Sequence, residues 1–217
     1  AAATIAVVYP HMNSIGGDGF WLISRPGAEP VAIEACGAAA LAATIDEYRS
    51  RGLTAIPTRG PLAANTVAGT VSGWQLAHRW SADTLGGKMP VKRLLEDAIH
   101  YARHGVPVTR SQSQCVASRL DELRPVAGFA ETFLHGERVP ATGELFIAPR
   151  LAATLERLAD AGLDDFYRGD LARSMAGDLQ SAGSLLTLAD LERHEARFRT
   201  PLALKHSLGT IYNMPPP

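Results

Sequence analysis

An α+β fold is predicted for this sequence, from two observations. The first third carries two short apolar runs set between glycine- and proline-rich turns, and the rest carries apolar residues at helical spacing between start and stop signals. Strands at the front with helices behind them argue against a regular βαβ sheet and for a layered arrangement.

The elements follow in chain order. Ala1 to Val8 is apolar and reads as the end of a buried helix that Pro10 stops. Gly16-Gly17-Asp18-Gly19 is a turn-rich run, expected to need positive φ and a close backbone approach. Phe20-Trp21-Leu22-Ile23 reads as a buried strand, Pro26-Gly27 as a turn, and Val31-Ala32-Ile33 as the second strand of a hairpin. Neither strand alternates cleanly, which predicts cover on both faces. Thr44 to Tyr48 is a short capped helix, and residues 52–61 are a loop. The stretch Val67 to Trp80 enters a helix near Ser72, with Trp74 and Ala77 on its apolar face. Val91, Leu94, Leu95, Ala98 and Ala102 repeat at helical spacing until Gly105 and Pro107 end the helix. A second such helix runs from about Pro149 to Ala161, with Leu151, Leu155 and Leu158 as its stripe, and a third from about Asp170 to Ser181. A fourth begins at Thr187, with Asp190 three residues on as a capping-box partner. The part behind the hairpin therefore reads as mostly helical.

Composition excludes several classes. The chain has 217 residues, 46% hydrophobic and 20% charged, with a formal net charge of −1. That is an ordinary globular balance. With no Lys/Arg block, nothing points to nucleic acid or an anionic membrane surface. No apolar run is long enough for a membrane-spanning helix. The chain opens in an Ala-rich stretch without Met and stops at Met214-Pro215-Pro216-Pro217, so residues 1–217 are expected to be a single segment of a larger protein. Cys36 and Cys115 lie far apart and read as two separate thiols; a bridge between them would imply export.

Few residues point to chemistry by themselves. The glycine run lacks a Gly-Lys-Ser/Thr ending and precedes a strand, so it is neither a P-loop nor a dinucleotide fingerprint. A tight turn is the preferred reading, with a site wall nearby as a secondary role. Glu96, His100 and His104 share a helix face, but without the His-Glu-x-x-His order the polar helix surface is preferred over a metal site. Ser72 in Gly69-Thr70-Val71-Ser72-Gly73 departs from the Gly-x-Ser-x-Gly elbow. The adjacent acids Asp164-Asp165 and Glu96-Asp97 point to different helix faces and read as solvated surface.

Four stretches in order, taken together, resemble the γ-glutamyltransferase family. Pro10-His11-Met12-Asn13-Ser14-Ile15-Gly16-Gly17-Asp18-Gly19-Phe20 resembles its Pro-x-x-x-Gly-Ile-Gly-Gly-Gly-Gly-Phe turn and strand. Ala68-Gly69-Thr70-Val71-Ser72-Gly73-Trp74 is similar to its Pro-Gly-x-Val-Ala-Gly-Phe/Trp. Asp165-Phe166-Tyr167-Arg168-Gly169, then Gly183-Ser184-Leu185-Leu186-Thr187-Leu188-Ala189-Asp190-Leu191, resemble its Phe-Tyr-x-Gly and Gly-Gly-x-Leu/Ile-Thr-x-x-Asp-Leu. Tyr212-Asn213-Met214-Pro215-Pro216-Pro217 resembles its Tyr-x-x-x-Pro-Pro-Pro.

The resemblance implies an αββα four-layer sandwich of the N-terminal-nucleophile hydrolase type. The precursor cuts itself in two, and the new N-terminal Thr of the small subunit attacks an amide, with its own α-amine as base. Thr and oxyanion hole would both lie beyond this chain, so no catalytic residue is assigned within it. No metal and no cofactor are implied. The implied partners are the small subunit of the same precursor and a small-molecule amide such as a γ-glutamyl compound; no nucleic acid partner and no membrane span are expected. The resemblance points to a bacterial periplasmic or exterior location and leaves the cytoplasm open. In the family, an Arg in an Asp-Phe-Arg-Glu strand grips the glutamyl α-carboxylate. The matching stretch here is Ile33-Glu34-Ala35-Cys36-Gly37, with Cys36 at the Arg position. Cys36, Glu34, Gly16 and Gly17 are thus the substrate-pocket candidates. A thiol cannot replace a bidentate guanidinium, so strict γ-glutamyl specificity is not expected; Arg25, Arg49, Arg51 and Arg59 are alternative cations. Glutaryl or cephalosporin-type acylase activity and a non-catalytic relative kept for binding or assembly are the competing readings.

Overall fold

A computed structural model describes all of residues 1–217. Helix α1 (Ala2–Val8) leads into the Gly16–Gly19 turn and the antiparallel hairpin β1 (Gly19–Ile23) and β2 (Val31–Ala35), in the register Phe20↔Glu34 and Trp21↔Ile33. Helix α2 (Ile45–Ser50) is capped by Thr44, whose hydroxyl accepts from Glu47 N–H. Helix α3 (Thr70–Leu85) lies on the hairpin, and α4 (Val91–His104) follows. Strand β3 (Val106–Pro107), helices α5 (Arg110–Ser118), α6 (Leu120–Leu123) and α7 (Phe129–Phe133), and strand β4 (Leu145–Phe146) make a small excursion closed by β3–β4 pairing. Helices α8 (Pro149–Ala161), α9 (Asp165–Arg168), α10 (Asp170–Ser181) and α11 (Leu188–Glu192) follow, then strands β5 (Arg197–Arg199), β6 (Leu202–His206) and β7 (Gly209–Asn213).

Helix α4 packs along α8 and α1, which places Leu95, Ala98 and Ala102 in one buried cluster with Ala152, Leu155, Leu158 and Val7. Leu155 and Leu158 are fully buried, so truncating either to Ala would cost about 2–5 kcal/mol. The sheet has the order β1-β2-β5. Its Trp21, Ile33 and Ala35 face meets α3: a Cβ on Gly73 would come within 2.8 Å of the Ala35 Cβ and 3.1 Å of Trp21 Nε1. Only glycine allows the helix this close.

Several expectations are corrected. The part behind the hairpin is mostly helical as expected, and β5, which returns to pair with β2, and the separate β6–β7 hairpin are added to it. The cover predicted on both faces of the first two strands fails for β1: Phe20 and Leu22 are 48% and 44% exposed, since α3 covers only the opposite face. Helix α3 starts at Thr70, ahead of Ser72, because Thr70 is already fixed by bonds from its N–H (2.9 Å) and Oγ1 (2.8 Å) to the Gly17 carbonyl. Gly16, Gly17 and Gly19 do not use positive φ. Their turn is held instead by Thr70 and by Asp18, and only Gly19 meets a neighbour closely, its ideal Cβ lying 3.3 Å from Thr70 Cα. Asp165 is not solvated surface but buried. Its carboxylate takes both Arg157 Nε and Nη2 at 2.9 Å and two backbone N–H groups at the start of α10, Asp170 (3.1 Å) and Leu171 (3.3 Å).

Candidate functional site

Antiparallel pairing brings three chain segments to one end of the sheet: β1 starts there, β2 ends there and β5 starts there. Asp18 precedes β1 and Cys36 follows β2, and the two side chains meet, with Sγ 3.4 Å from Asp18 Oδ2. Asp18 Oδ1 accepts the Gly37 N–H at 2.9 Å. Local sterics fix this corner. A Cβ on Gly37 would sit 1.6 Å from the Val67 carbonyl oxygen, and one on Gly69 2.1 Å from that of Ala35, so the exit of β2 and the start of α3 can lie against each other only as glycines.

Glu34 lies one step inside the sheet and is 4% exposed. Directly across from it, Arg197 donates from Nε (2.9 Å) and Nη2 (2.6 Å) to Glu34 Oε1. Arg199 Nη1 stands 3.4 Å from Oε2, an oxygen that has an ion-pair neighbour but no hydrogen bond. Residues 34, 197 and 199 share the face that carries Phe20 and Leu22, the face α3 leaves open. Burial raises the Cys36 thiol above its ordinary pKa, the hydrogen bond and charge of Asp18 and the charge of Glu34 add to this, and Arg197 opposes it. The direction of this shift favours the protonated thiol at neutral pH.

The position of β5 depends on a buried relay. The Tyr167 hydroxyl donates to the Ala68 carbonyl (2.8 Å) and accepts the Ser72 N–H (2.9 Å), while Ser72 Oγ accepts the Ala196 N–H at 2.7 Å. Ser72 thus anchors the residue before Arg197. His194, two residues earlier, is 7% exposed, with its ring centroid 5.2 Å from that of Tyr167 and Nε2 unpartnered. Its burial pushes its pKa down, Asp18 and Glu195 partly countering this and Arg168 adding to it.

The four sequence-derived candidates fall as follows. Cys36 and Glu34 are together at the sheet end. Gly16 is exposed, its N–H donating to Ser14 Oγ at 3.2 Å, and Gly17 is half-buried with its carbonyl committed to Thr70. Arg25 lies in the β1–β2 connection, at the far end of the sheet. Arg51 pairs with Glu47, and Arg59 with Glu122. Sequence reasoning missed Arg197, Arg199 and the role of Asp18. The alternation Arg197-Phe198-Arg199 was the available signal, a short period-two pattern. His100 and His104 lie with ring centroids 4.4 Å apart and planes tilted by 32°, with His104 Nδ1 on the His100 carbonyl, and form no cluster with a third metal-binding side chain.

A three-stranded sheet covered by α3 on one face, open on the other and carrying paired charges at one end belongs to a layered α+β architecture. The family model described as Gamma-glutamyltranspeptidase matches residues 1–217, and the chain belongs to that family. It is 54% identical over its full length to the oxamate amidohydrolase proenzyme of Klebsiella pneumoniae, covering 41% of that protein. It is 33% identical, again over its full length, to the glutathione hydrolase proenzyme of Pseudomonas aeruginosa, covering 37% of it. The solved gamma-glutamyltranspeptidase of Helicobacter pylori superposes with a TM-score of 0.89 at 26% identity, over 99% of this chain and 61% of that one. The chain thus spans about two fifths of the length of the curated relatives it matches.

Proposed function

We propose that this chain is the large-subunit part of an autoprocessed amidohydrolase acting on a small carboxylate-bearing amide of the oxamate type. The observation carrying this reading is the 54% identity, along the whole chain, to a proenzyme named for oxamate hydrolysis. A thiol at position 36, with no cation of its own, accords with a substrate other than a γ-glutamyl compound.

The continuation of the polypeptide supplies the second sheet, which packs on the open Phe20/Leu22 face, and an N-terminal Thr. The Thr hydroxyl attacks the amide carbonyl, the α-amine takes its proton and passes it to the amide nitrogen, and the C–N bond breaks to release ammonia. Water then releases oxalate from the acyl ester and restores the Thr. Gly16 and Gly17 form a wall of the pocket, while Cys36 is small filler beside it.

The full-length protein, once purified, should run as two bands under denaturing conditions, with Thr at the start of the smaller one, and should release ammonia from oxamate. A single uncut band, inert toward oxamate and toward γ-glutamyl and glutaryl amides, would overturn the reading in favour of a non-catalytic relative. Processed protein that cleaves only γ-glutamyl amides would favour the second reading, to which the 33% relative named glutathione hydrolase gives support.

A further inference from the structure

We infer that Arg197 is the residue that reads the substrate's carboxylate, with Glu34 as its positioning residue. This rests on the reading of the protein as an oxamate-type amidohydrolase. In oxamate the carboxylate is bonded directly to the scissile carbonyl carbon, so the cation that reads it has to stand in the reaction site itself. At the sheet end one guanidinium is both oriented and available.

Arg197 is oriented because Nε and Nη2 both bind a single oxygen of Glu34, which is buried at 4% exposure on the central strand. Within residues 1–217 its side chain is 63% exposed, at the end of the sheet beside the start of β1. Of the five N–H donors of a guanidinium, those two bonds take two, and no other group of residues 1–217 takes the rest. The free edge of Nη1 and Nη2 is the fork that matches a carboxylate. Arg197 and Arg199 share the single carboxylate of Glu34 on the open face. The nearby Asp18 is turned to Gly37 N–H and Cys36. Other cations of this region are engaged elsewhere, Arg193 with Asp190 and the Ala39 carbonyl, and Arg168 with Asp164 and the His194 carbonyl. The uncharged Cys36 leaves room beside the fork.

The test uses the full-length processed enzyme with oxamate and with oxamide, its neutral counterpart without a carboxylate. Arg197→Gln should raise KM for oxamate about ten- to a hundredfold, the usual worth of a charge-assisted fork, and leave kcat/KM for oxamide near the wild-type value. Arg197→Lys keeps a charge against Glu34 without the planar fork; its KM for oxamate should still rise severalfold, and it carries the test should the Gln variant fail to process. An unchanged KM for oxamate in a processed variant overturns the assignment, as does an equal loss on both amides, which would mark a purely structural ion pair. Wild-type enzyme that processes but leaves oxamate intact overturns the parent reading, and this inference with it.

Discussion

Tyr167 shows how much one atom carries in this molecule. Its hydroxyl is fully buried and satisfies both Ala68 and Ser72. Tyr167→Phe keeps the ring and strands a buried N–H and a half-buried carbonyl, which should cost about 1–3 kcal/mol, read as a lower Tm of the full-length protein. Because Ser72 in turn holds Ala196, the same variant should also loosen Arg197 and raise KM for substrate. A loss of stability with no change in KM would show β5 to be held by the sheet alone. Cys36 presents the opposite case. Its raised pKa and half-buried setting make it a spacer, so Cys36→Ser should retain most activity and iodoacetamide should modify the thiol slowly at pH 7. Rapid alkylation with loss of turnover would refute that. Both Cys36 and Glu34 were legible in the sequence because they sit in a motif. Arg197 was not, because its partner is 163 positions away in the chain and only strand pairing brings them together.

The same contrast between local and distant information holds for the elements. Helices α4, α8 and α10 were readable almost to the residue, because periodicity, Pro149 at the first turn of α8 and the glycines behind α4 and α8 are all local signals. The capping box of α11 was equally local, with Thr187 Oγ1 donating to Asp190 Oδ2 at 2.8 Å and accepting from Asp190 N–H. Strands β5, β6 and β7 escaped, being short and largely exposed, with charged or small residues that fit no buried-strand pattern. Asp165 escaped because its role is set by the start of the next helix. It joins α8 to α10 through Arg157, whose hydrogen bonds are the main cause holding its pKa below the usual carboxylate range. Asp165→Ala should cost about 2–3 kcal/mol, more than a surface acid, since it leaves helix N–H groups and a guanidinium without their acceptor. His194, just ahead of β5, gives a pH dependence of definite sign. Its folded pKa lies below the unfolded value near 6.5, so the unfolded chain binds its proton first. Its contribution is therefore complete above about pH 6.5 and is lost as pH falls from there toward the folded pKa. His194→Gln should flatten the fall in Tm measured between pH 7.5 and 5.5; an unchanged slope would place the proton uptake elsewhere.

At the scale of the whole molecule, the apolar surface is unevenly distributed. The helical side is closed around one cluster of 20 buried residues. The sheet side leaves Phe20 and Leu22 open on one face, with β1 and β5 as unpaired edges. The β6–β7 hairpin exposes Leu202, Leu204, Leu208 and Ile211, the first of these by 52% and Leu208 by 93%. Exposed apolar residues beside free strand edges favour self-association in water. On the large-subunit reading proposed above, the remainder of the full-length protein covers that surface. Residues 1–217 produced alone should therefore bind the dye ANS strongly and scatter light at micromolar concentration, whereas the same residues within the processed full-length protein should do neither. Phe20→Lys and Leu22→Lys together should cut the dye signal of the isolated segment, because they place charge on the open face without touching α3. In the full-length protein the same pair should block assembly, since two unpaired charges would be buried between the sheets. A full-length double variant that still assembles and turns over substrate would show that the Phe20/Leu22 face is not where the two halves meet.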